Sequence, residues 1–401
     1  MLYAWATFGA HVSYAPLLAL LLPRRIIAVA PDRAAAITSV VVLVGAITAS
    51  LAHIMAGRFS DGWRRRHGNR RVPIAVGLGL TMAALTGLGL AQQVPALVVG
   101  LVAFQIALNL MFAPLGALLV DHFADHAKGR VAALANLAIP LAGLGTGVAA
   151  LAFPRDSAVP FVAVAGLVGL SVLPLIVVWP FAAAAMPASP SQPALSAPSR
   201  PQISGPSIVA DLARIGLARL LMQCGASFVV TYFYLFIVRH PDRAGVLPGH
   251  SVDVLFGRLV LVTTLAVLVV TVLAGRWSDH HRRRRAPMMA SALVAGLALC
   301  ALQAGSGWLM LAGYGLFQVG LIAYLALDAA LVAQALHNHP RPGEMLGYMN
   351  LANTLPSIVV PGLVLAVAGA TAESLWAPGF AGAAACCVLA ALLISRIRTV
   401  V

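Results

Sequence analysis

Long apolar stretches alternate with short polar connections along almost the whole chain. Each stretch has about the length that a helix needs to cross the hydrocarbon core of a bilayer, roughly 20 residues. The predicted starts of these twelve stretches are Tyr3, Ala34, Val72, Ala96, Val131 and Pro160, followed by Ile215, Val254, Pro287, Leu309, Met345 and Pro378. The pattern predicts an all-α membrane protein with twelve transmembrane helices.

A segment near the middle of the chain separates the first six stretches from the last six. Residues 185–206 read AMPASPSQPALSAPSRPQISGP, a composition rich in proline, serine and alanine. Such a composition is typical of an extended linker. The sequence therefore predicts two six-helix bundles, residues 1–184 and 207–401, joined by this linker.

The composition indicates that lipid is the solvent of this protein. Hydrophobic residues make up 61% of the chain and charged residues 9%, and the mean hydropathy is +0.93. A water-soluble globule of 401 residues cannot bury so much apolar surface. The four cysteines lie in apolar stretches without metal-ligand spacing, so we expect no disulfide framework, no metal and no cofactor.

Arginines distinguish the two ends of the predicted bundle. The densest clusters, GWRRRHGNRR and HHRRRR, follow the second and eighth stretches. We name this end, which also carries both termini and the linker, the arginine-rich end, and we name the other the opposite end. The positive-inside rule places the arginine-rich end in the cytoplasm of a cell with the protein in its inner membrane. The rule also explains the formal net charge of +14 without a nucleic-acid partner.

One polar segment of the chain occurs twice. GRFSDGWRRRHGNRRVP starts at Gly57 and GRWSDHHRRRRAP starts at Gly275, a separation of 218 residues (275 minus 57). This period is too long for a solenoid and fits a duplicated bundle with its site between the halves. A second echo, DHAKGRVAALANLAIP against HPRPGEMLGYMNLANTLP, follows the fourth and tenth stretches. The two halves are therefore related to each other.

Twelve spans in two related halves, with the Gly-x-x-x-Asp and arginine motif after the second span, resemble the major facilitator superfamily over nearly the whole chain. The longer motif, and the NLANTLP segment from Asn350, are similar to those of glycoside and sucrose-type bacterial permeases. The motif residues are Gly57, Ser60, Asp61, Gly68, Arg70, Arg71 and Pro73. The resemblance implies a secondary transporter that works by alternating access. It also implies that the first, fourth, seventh and tenth helices line the pathway.

The motif residues are expected to control which side of the transporter is open. A carboxylate beside several guanidiniums suits a breakable lock between moving groups of helices. The resemblance implies that Asp61, with Asp279 as its counterpart, meets a helix end and arginines across the halves and stabilises the state open to the outside. The alternative is that these residues only set topology. The predicted gating residues are Gly57, Asp61, Arg65, Asp121, Arg130, Arg219 and Asp279.

Polar side chains recur at helical spacing on the helices expected to line the pathway. The predicted substrate-binding residues are Gln105, Asn109, Gln223, Ser227, Tyr234, Tyr314 and Gln318. Gln105 and Gln318 also occupy matching positions of the repeat, FQIAL and FQVGL. The alternative is that these side chains join helices within one half by hydrogen bonds.

Asp328 is the predicted proton-coupling residue. Of twelve acidic residues, it alone is predicted to lie well inside a span. A charged carboxylate there costs at least about 2.5 to 3.5 kcal/mol on insertion scales, and protonation removes that cost. His11 and His53 are weaker candidates for proton handling. The alternative for Asp328 is a permanent salt bridge, with Arg219 as the candidate partner.

The predicted function is proton-coupled symport of a small polar organic solute, with a sugar or glycoside as the first candidate. The alternative is a proton antiporter that exports amphipathic or aromatic compounds, which the aromatic segment TYFYLF at residues 231–236 favours. We expect the solute, a proton and the lipid bilayer as partners, and a monomeric protein. The chain has no zinc motif, nucleophile elbow or phosphate-binding loop, so we do not expect an enzyme.

Overall fold

The computed structural model of the protein describes residues 1–123, 131, 134–135, 137–179, 206–246, 250–281, 285–336, 349, 351–367 and 373–397. Nearly all of the described residues are helical. The helices are α1 (Leu2–Val29), α2 (Ala34–His67), α3 (Arg71–Leu90), α4 (Val94–His122), α5 (Ala138–Ala152), α6 (Val159–Val178), α7 (Pro206–Arg239), α8 (Val252–His281), α9 (Arg285–Ala304), α10 (Trp308–Leu336), α11 (Pro356–Val367) and α12 (Glu373–Ser395). Ten are long and apolar enough to cross a membrane, and α5 and α11 are shorter apolar helices. The predicted fold class is confirmed.

Most predicted starts lie close to the observed ones, but α11 begins at Pro356, eleven residues after the predicted Met345, and α7 differs in the opposite direction. It begins at Pro206, nine residues before the predicted Ile215. The first turns of α7 carry Asp211 and Arg214, so hydropathy does not mark them as part of the span. A proline suits the first position of a helix, because the missing N–H would have no partner there. Residues 185–205 of the predicted linker lie outside the described residues.

A π-helical turn over Leu17–Leu21 interrupts α1. It directly follows Pro16, which has no backbone N–H to donate to the preceding turn. A widened turn is one way in which a helix accommodates such a residue, and these turns are frequent at functional sites. In this structure, Leu18 of the turn lines a cavity that lies between the two halves.

A glycine ends α2 and brings α3 back beside it. Gly68 has a φ of 75°, in the left-handed region that favours glycine, and its N–H donates to the carbonyl of Arg64 at 2.8 Å. This tight turn explains Gly68, a glycine of the first copy of the motif that the second copy lacks. It also places Arg70 against α2, where Arg70 is almost fully buried.

The halves approach closely where α5 packs against α8, over a stretch nearer the opposite end. A Cβ atom on Gly147 would lie 2.6 Å from Leu261 Cγ and 3.1 Å from the Gly257 carbonyl oxygen. On Gly143 it would lie 2.8 Å from Thr264 Oγ1. Small residues allow such an approach, which membrane helices use because packing drives their association. α2 also contacts α11 across the halves.

Candidate functional site

A cavity of about 260 Å³ lies between the two halves. Helices α1 and α5 line it from one half, and α7, α8 and α10 line it from the other. The apolar lining residues are Ala15, Leu18, Ala19, Ile139, Pro140, Gly143, Val229, Val230, Phe233, Phe256, Val260, Val267 and Ile322. Those with a hydroxyl or amide are Tyr14, Thr146, Tyr234, Thr263, Thr264, Tyr314 and Gln318. None of these described lining residues is charged, so the cavity suits an uncharged ligand.

Aromatic rings form much of the wall on the side of α7, α8 and α10. The rings of Phe233 and Tyr314 stack at 4.3 Å between centroids and an interplanar angle of 18°. Tyr234 meets Phe256 edge to face at 5.2 Å. Such contacts fix the rings in place, so the cavity presents rigid apolar surface together with a few hydroxyl groups.

Three of the predicted substrate-binding residues line this cavity together. Tyr234 comes from α7, and Tyr314 and Gln318 come from α10. The side-chain oxygen of Gln318 is buried and accepts no hydrogen bond within the described residues. A buried carbonyl oxygen without a donor is costly, so this atom favours a ligand that supplies an N–H or O–H.

The other four predicted substrate-binding residues make hydrogen bonds inside their own half. Asn109 lies 2.9 Å from His53 Nδ1 on α2 and donates its amide to the carbonyl of Gln105. In the second half, Gln223 donates to Asn353 at 3.4 Å, and Ser227 donates to the carbonyl of Pro356. None of the four belongs to the cavity lining, and their binding role stays a prediction.

Asp328 forms an ion pair with Arg219. Arg219 Nε on α7 lies 2.5 Å from Asp328 Oδ2 on α10, and a second guanidinium nitrogen contacts the same oxygen. The Asp328 side chain is 1% exposed. Its other oxygen, Oδ1, has no hydrogen-bond partner within the described residues, nor does the hydroxyl of Tyr324 one turn earlier. One oxygen is thus neutralised while the other is buried without a donor.

The two candidate histidines lie in the first half, on either side of Phe112. His11 Nδ1 is 2.8 Å from the carbonyl of Thr7, and the His11 ring meets Phe112 edge to face at 5.5 Å. The His53 ring lies 6.3 Å from Phe112 and is bonded to Asn109. His11 is buried and His53 is exposed.

A cluster of charges joins the halves at the opposite end. Asp253 lies at the start of α8. One of its carboxylate oxygens accepts a hydrogen bond from Arg24 Nε at 3.2 Å, and the other accepts one from Arg155 Nε at 3.1 Å. Tyr234 of α7 donates its hydroxyl to the oxygen that Arg24 contacts. Arg24 also donates to the carbonyls of Ala150 and Phe153 at the end of α5. We name Arg24, Arg155, Tyr234 and Asp253 the interhalf cluster.

The interhalf cluster is deeply buried on the Arg24 side. The side chains of Arg24 and Asp253 are 2% and 8% exposed, whereas that of Arg155 is 32% exposed. Burial lowers the pKa of the Arg155 guanidinium, but Tyr234 and Asp253 outweigh it, and the pKa is raised above its ordinary value. Arg155 therefore stays charged. Nearby, the hydroxyls of Ser39 on α2 and Tyr232 on α7 meet at 2.6 Å, a second polar contact between the halves.

Arg70 organises the motif at the arginine-rich end. It contacts Asp61 Oδ1 at 2.7 Å, Asp121 Oδ2 at 2.8 Å and Ser60 Oγ at 2.7 Å. Arg64 binds the other oxygen of Asp121 at 2.6 Å. All of these residues belong to the first half, and Asp61 is 55% exposed. Within the described residues, the carboxylate of Asp61 is therefore held by Arg70 of its own half.

The remaining predicted gating residues differ in what the structure shows of them. Gly57 lies within α2 with no atom within 4 Å of where its Cβ would be, and Arg65 is exposed. Arg130 and the side chain of Asp279 lie outside the described residues. The gating roles stay predictions. Within the described part of the chain, no group of three or more histidine, cysteine, aspartate or glutamate side chains is placed to hold a metal ion.

The family model described as Major Facilitator Superfamily matches residues 3–361, most of the chain. The chain belongs to the major facilitator superfamily. It is therefore a multi-pass membrane protein of a family of transporters, and these proteins bind small molecules. No curated protein matches the sequence.

Solved structures with the fold of this major facilitator superfamily member include a D-xylose–proton symporter, with 14% identity and a TM-score of 0.70, covering 100% of this chain and 97% of that one. The xylose transporter XylE from E. coli in an inward-open conformation has 13% identity and a TM-score of 0.70, and the match covers 99% of this chain and 95% of XylE. A POT family transporter in complex with 5-aminolevulinic acid has 12% identity and a TM-score of 0.72, and the match covers 98% of this chain and 94% of that one. At these identities the likeness shows the fold alone.

Sequence reasoning missed three residues of the interhalf cluster, Arg24, Arg155 and Asp253, and selected Tyr234 only as a substrate-binding residue. In the sequence, Arg24 and Arg155 are recognisable only as basic residues at the opposite end, and Asp253 is recognisable only as an acidic residue just before the eighth apolar stretch. Arg24 and Asp253 are 229 residues apart. The one available signal was an acidic residue next to a predicted span at the same end as two arginines, which does not reveal which helices meet.

Proposed function

We propose that this protein moves an uncharged, amphipathic organic solute across the membrane by alternating access. The observation that carries the proposal is the lining of the cavity between the halves, whose described residues combine stacked aromatic rings with hydroxyl and amide groups and include no charged side chain. Such a surface binds a ring or another apolar body on one side and hydroxyl groups on the other. An aryl glycoside is the simplest compound with both features.

The apolar part of the lining should dominate affinity. Full burial of an aromatic side chain contributes about 1.5 to 3 kcal/mol, which corresponds to at least about a tenfold gain in affinity for a compound that adds one ring. We therefore expect phenyl β-glucoside to bind the purified protein at least tenfold more tightly than glucose. We expect no binding of tetraphenylphosphonium, because nothing in the lining compensates its charge.

Calorimetric titration and exchange in proteoliposomes with these three compounds test the proposal. Equal affinity for phenyl β-glucoside and glucose would support a transporter of free sugars, and preference for the cation would contradict an uncharged solute. Two valines on α8 supply matched variants: Val260 lines the cavity, whereas Val262 is 66% exposed. Val260→Phe should abolish binding, and Val262→Phe should not.

Coupling to protons is proposed to run through Asp328. Two features support this: its side chain is almost fully buried, and its Oδ1 has no hydrogen-bond donor among the described residues. Protonation would weaken the contact with Arg219, so a proton and the helix contact between α7 and α10 would be linked. Asp328→Asn should remove uphill accumulation under a pH gradient while solute exchange continues.

A second buried carboxylate supplies the control for this variant. Asp211 on α7 is also almost fully buried and pairs with Arg214 at 2.5 Å, three residues along the same helix. Asp211→Asn should leave accumulation intact. Full accumulation by Asp328→Asn in proteoliposomes would remove Asp328 from the coupling mechanism.

The proposed orientation places the arginine-rich end in the cytoplasm of a cell with the protein in its inner membrane. The arginine clusters support this through the positive-inside rule. The interhalf cluster and the close contact of α5 with α8 would then close the cavity toward the outside. Labelling of single cysteines at Arg66 and Gln92, which are exposed at the two ends, with a membrane-impermeant maleimide tests the orientation in intact cells.

A further inference from the structure

Tyr234 is part of both the cavity lining and the interhalf cluster. Its side chain lines the cavity, and its hydroxyl donates to Asp253 in the interhalf cluster. No other residue of the cluster lines the cavity. A ligand that enters the cavity therefore reaches the cluster through this one side chain.

We propose that Tyr234 couples occupancy of the cavity to opening of the opposite end. This inference rests on the proposed function and adds the route by which the solute acts on the gate. A solute oxygen that accepts the hydrogen of the Tyr234 hydroxyl competes with Asp253 for this donor. Asp253 then loses one of its three donors, and the contact between the halves weakens.

The geometry of the cluster explains why the loss of one donor matters. Tyr234 and Arg24 share the same carboxylate oxygen, so the phenol compensates that oxygen together with the guanidinium. Arg155 binds the other oxygen and is partly exposed, so water can replace it at little cost. Tyr234 itself is 1% exposed, so its hydroxyl is shielded from bulk water while the halves are closed. A ligand in the cavity lies against the Tyr234 side chain and is therefore placed to compete for this donor.

Tyr232 supplies a matched control on the same helix. Its hydroxyl also makes a contact between the halves, to Ser39 at 2.6 Å, but Tyr232 does not line the cavity. Tyr→Phe at either position removes one hydroxyl and keeps the ring. Both variants should loosen the closed end, and only Tyr234→Phe should lose the response to ligand.

Distances between spin labels at Gln92 and Ser306 measure opening of this end. Both residues are exposed, and they lie in the connections between α3 and α4 and between α9 and α10, one in each half. The labels are placed in the full chain in nanodiscs, after the native cysteines Cys224, Cys300, Cys386 and Cys387 are replaced. Each variant is measured with and without phenyl β-glucoside.

In the protein with native Tyr234, we expect the ligand to raise the open-to-closed ratio severalfold. Tyr234→Phe should raise this ratio about tenfold or more without ligand, as expected for loss of a hydrogen bond to a charged group, and ligand should not change it further. Tyr232→Phe should keep the response of the native protein.

Two results would overturn the inference: an unchanged ratio for Tyr234→Phe without ligand, or a ligand response that persists in that variant. Absence of any binding of phenyl β-glucoside to the native protein contradicts the proposed solute class instead. In that case the measurement without ligand still decides whether the Tyr234 hydroxyl holds the end closed, and thermal unfolding of each variant shows that it is folded.

Discussion

Neutralising Asp253 should open the opposite end of the transporter. Asp253→Asn keeps the size of the side chain but removes the charge that faces Arg24 and Arg155. Arg24 is 2% exposed and would then be a buried cation that faces only neutral acceptors among the described residues, the carbonyls of Ala150 and Phe153 and the amide oxygen of the new side chain. The penalty exists only while the halves are closed, because separation of the halves exposes Arg24 to water.

The size of the effect follows from the burial of the pair. Removing one partner of a buried ion pair costs about 3 to 5 kcal/mol. We expect the lower end, about 3 kcal/mol, because Arg155 is partly exposed and asparagine keeps one acceptor oxygen for Arg24. At about 1.4 kcal/mol per factor of ten, the open-to-closed ratio should rise by roughly 100-fold.

Distance measurements with spin labels at Gln92 and Ser306 report this ratio. Asp242→Asn is the control, because Asp242 is an exposed carboxylate at the same end. Replacing both buried partners, as in Arg24→Leu with Asp253→Leu, should restore the closed state, since apolar pairs often replace a buried ion pair without loss. A change of less than threefold for Asp253→Asn in a folded protein would refute the argument that the pair holds the halves together.

Three further variants test other parts of the structure. Gly147→Ala should shift the same label distances toward the open form, because the new Cβ would collide with Leu261 and the Gly257 carbonyl. The control Gly166→Ala, whose Cβ would have nothing within 4 Å, should leave the distances unchanged, and equal distances in the two variants would contradict the importance of this contact. Asp61→Asn should change thermal stability little, since an exposed ion pair contributes under about 1 kcal/mol. It should nevertheless favour the state in which the opposite end is closed, because Asp61 is predicted to stabilise the state open to the outside; unchanged label distances would return Asp61 to a topological role. Gln318→Ala should weaken binding of phenyl β-glucoside by about 2- to 12-fold, as expected for one neutral hydrogen bond, whereas Gln105→Ala should lower the melting temperature without changing affinity; the reverse pattern would move the site into the first half.

The sequence by itself determined the membrane character, the helices and the two halves. Apolar stretches of spanning length have one stable form in lipid, a helix whose backbone groups bond internally, so the pattern alone fixes them. The motif likewise singled out Gly68, Asp61 and Arg70, although the turn at Gly68 and the pairing of the charges appear only in the structure. The cost of an isolated charge in lipid singled out Asp328, which the structure places in an almost fully buried position.

Only the tertiary structure decided which polar residues meet. Gln105 and Gln318 occupy matching repeat positions, yet Gln318 lines the cavity and Gln105 does not. In a membrane helix, the lipid face and the packed face are both apolar, so periodicity does not show which face a polar residue turns toward a neighbour. The ion pair of Asp253 with Arg24 joins residues 229 positions apart, and that of Asp328 with Arg219, which the sequence offered only as an alternative, joins residues 109 positions apart. Such contacts depend on the packing of whole helices, and no local pattern in the sequence encodes it.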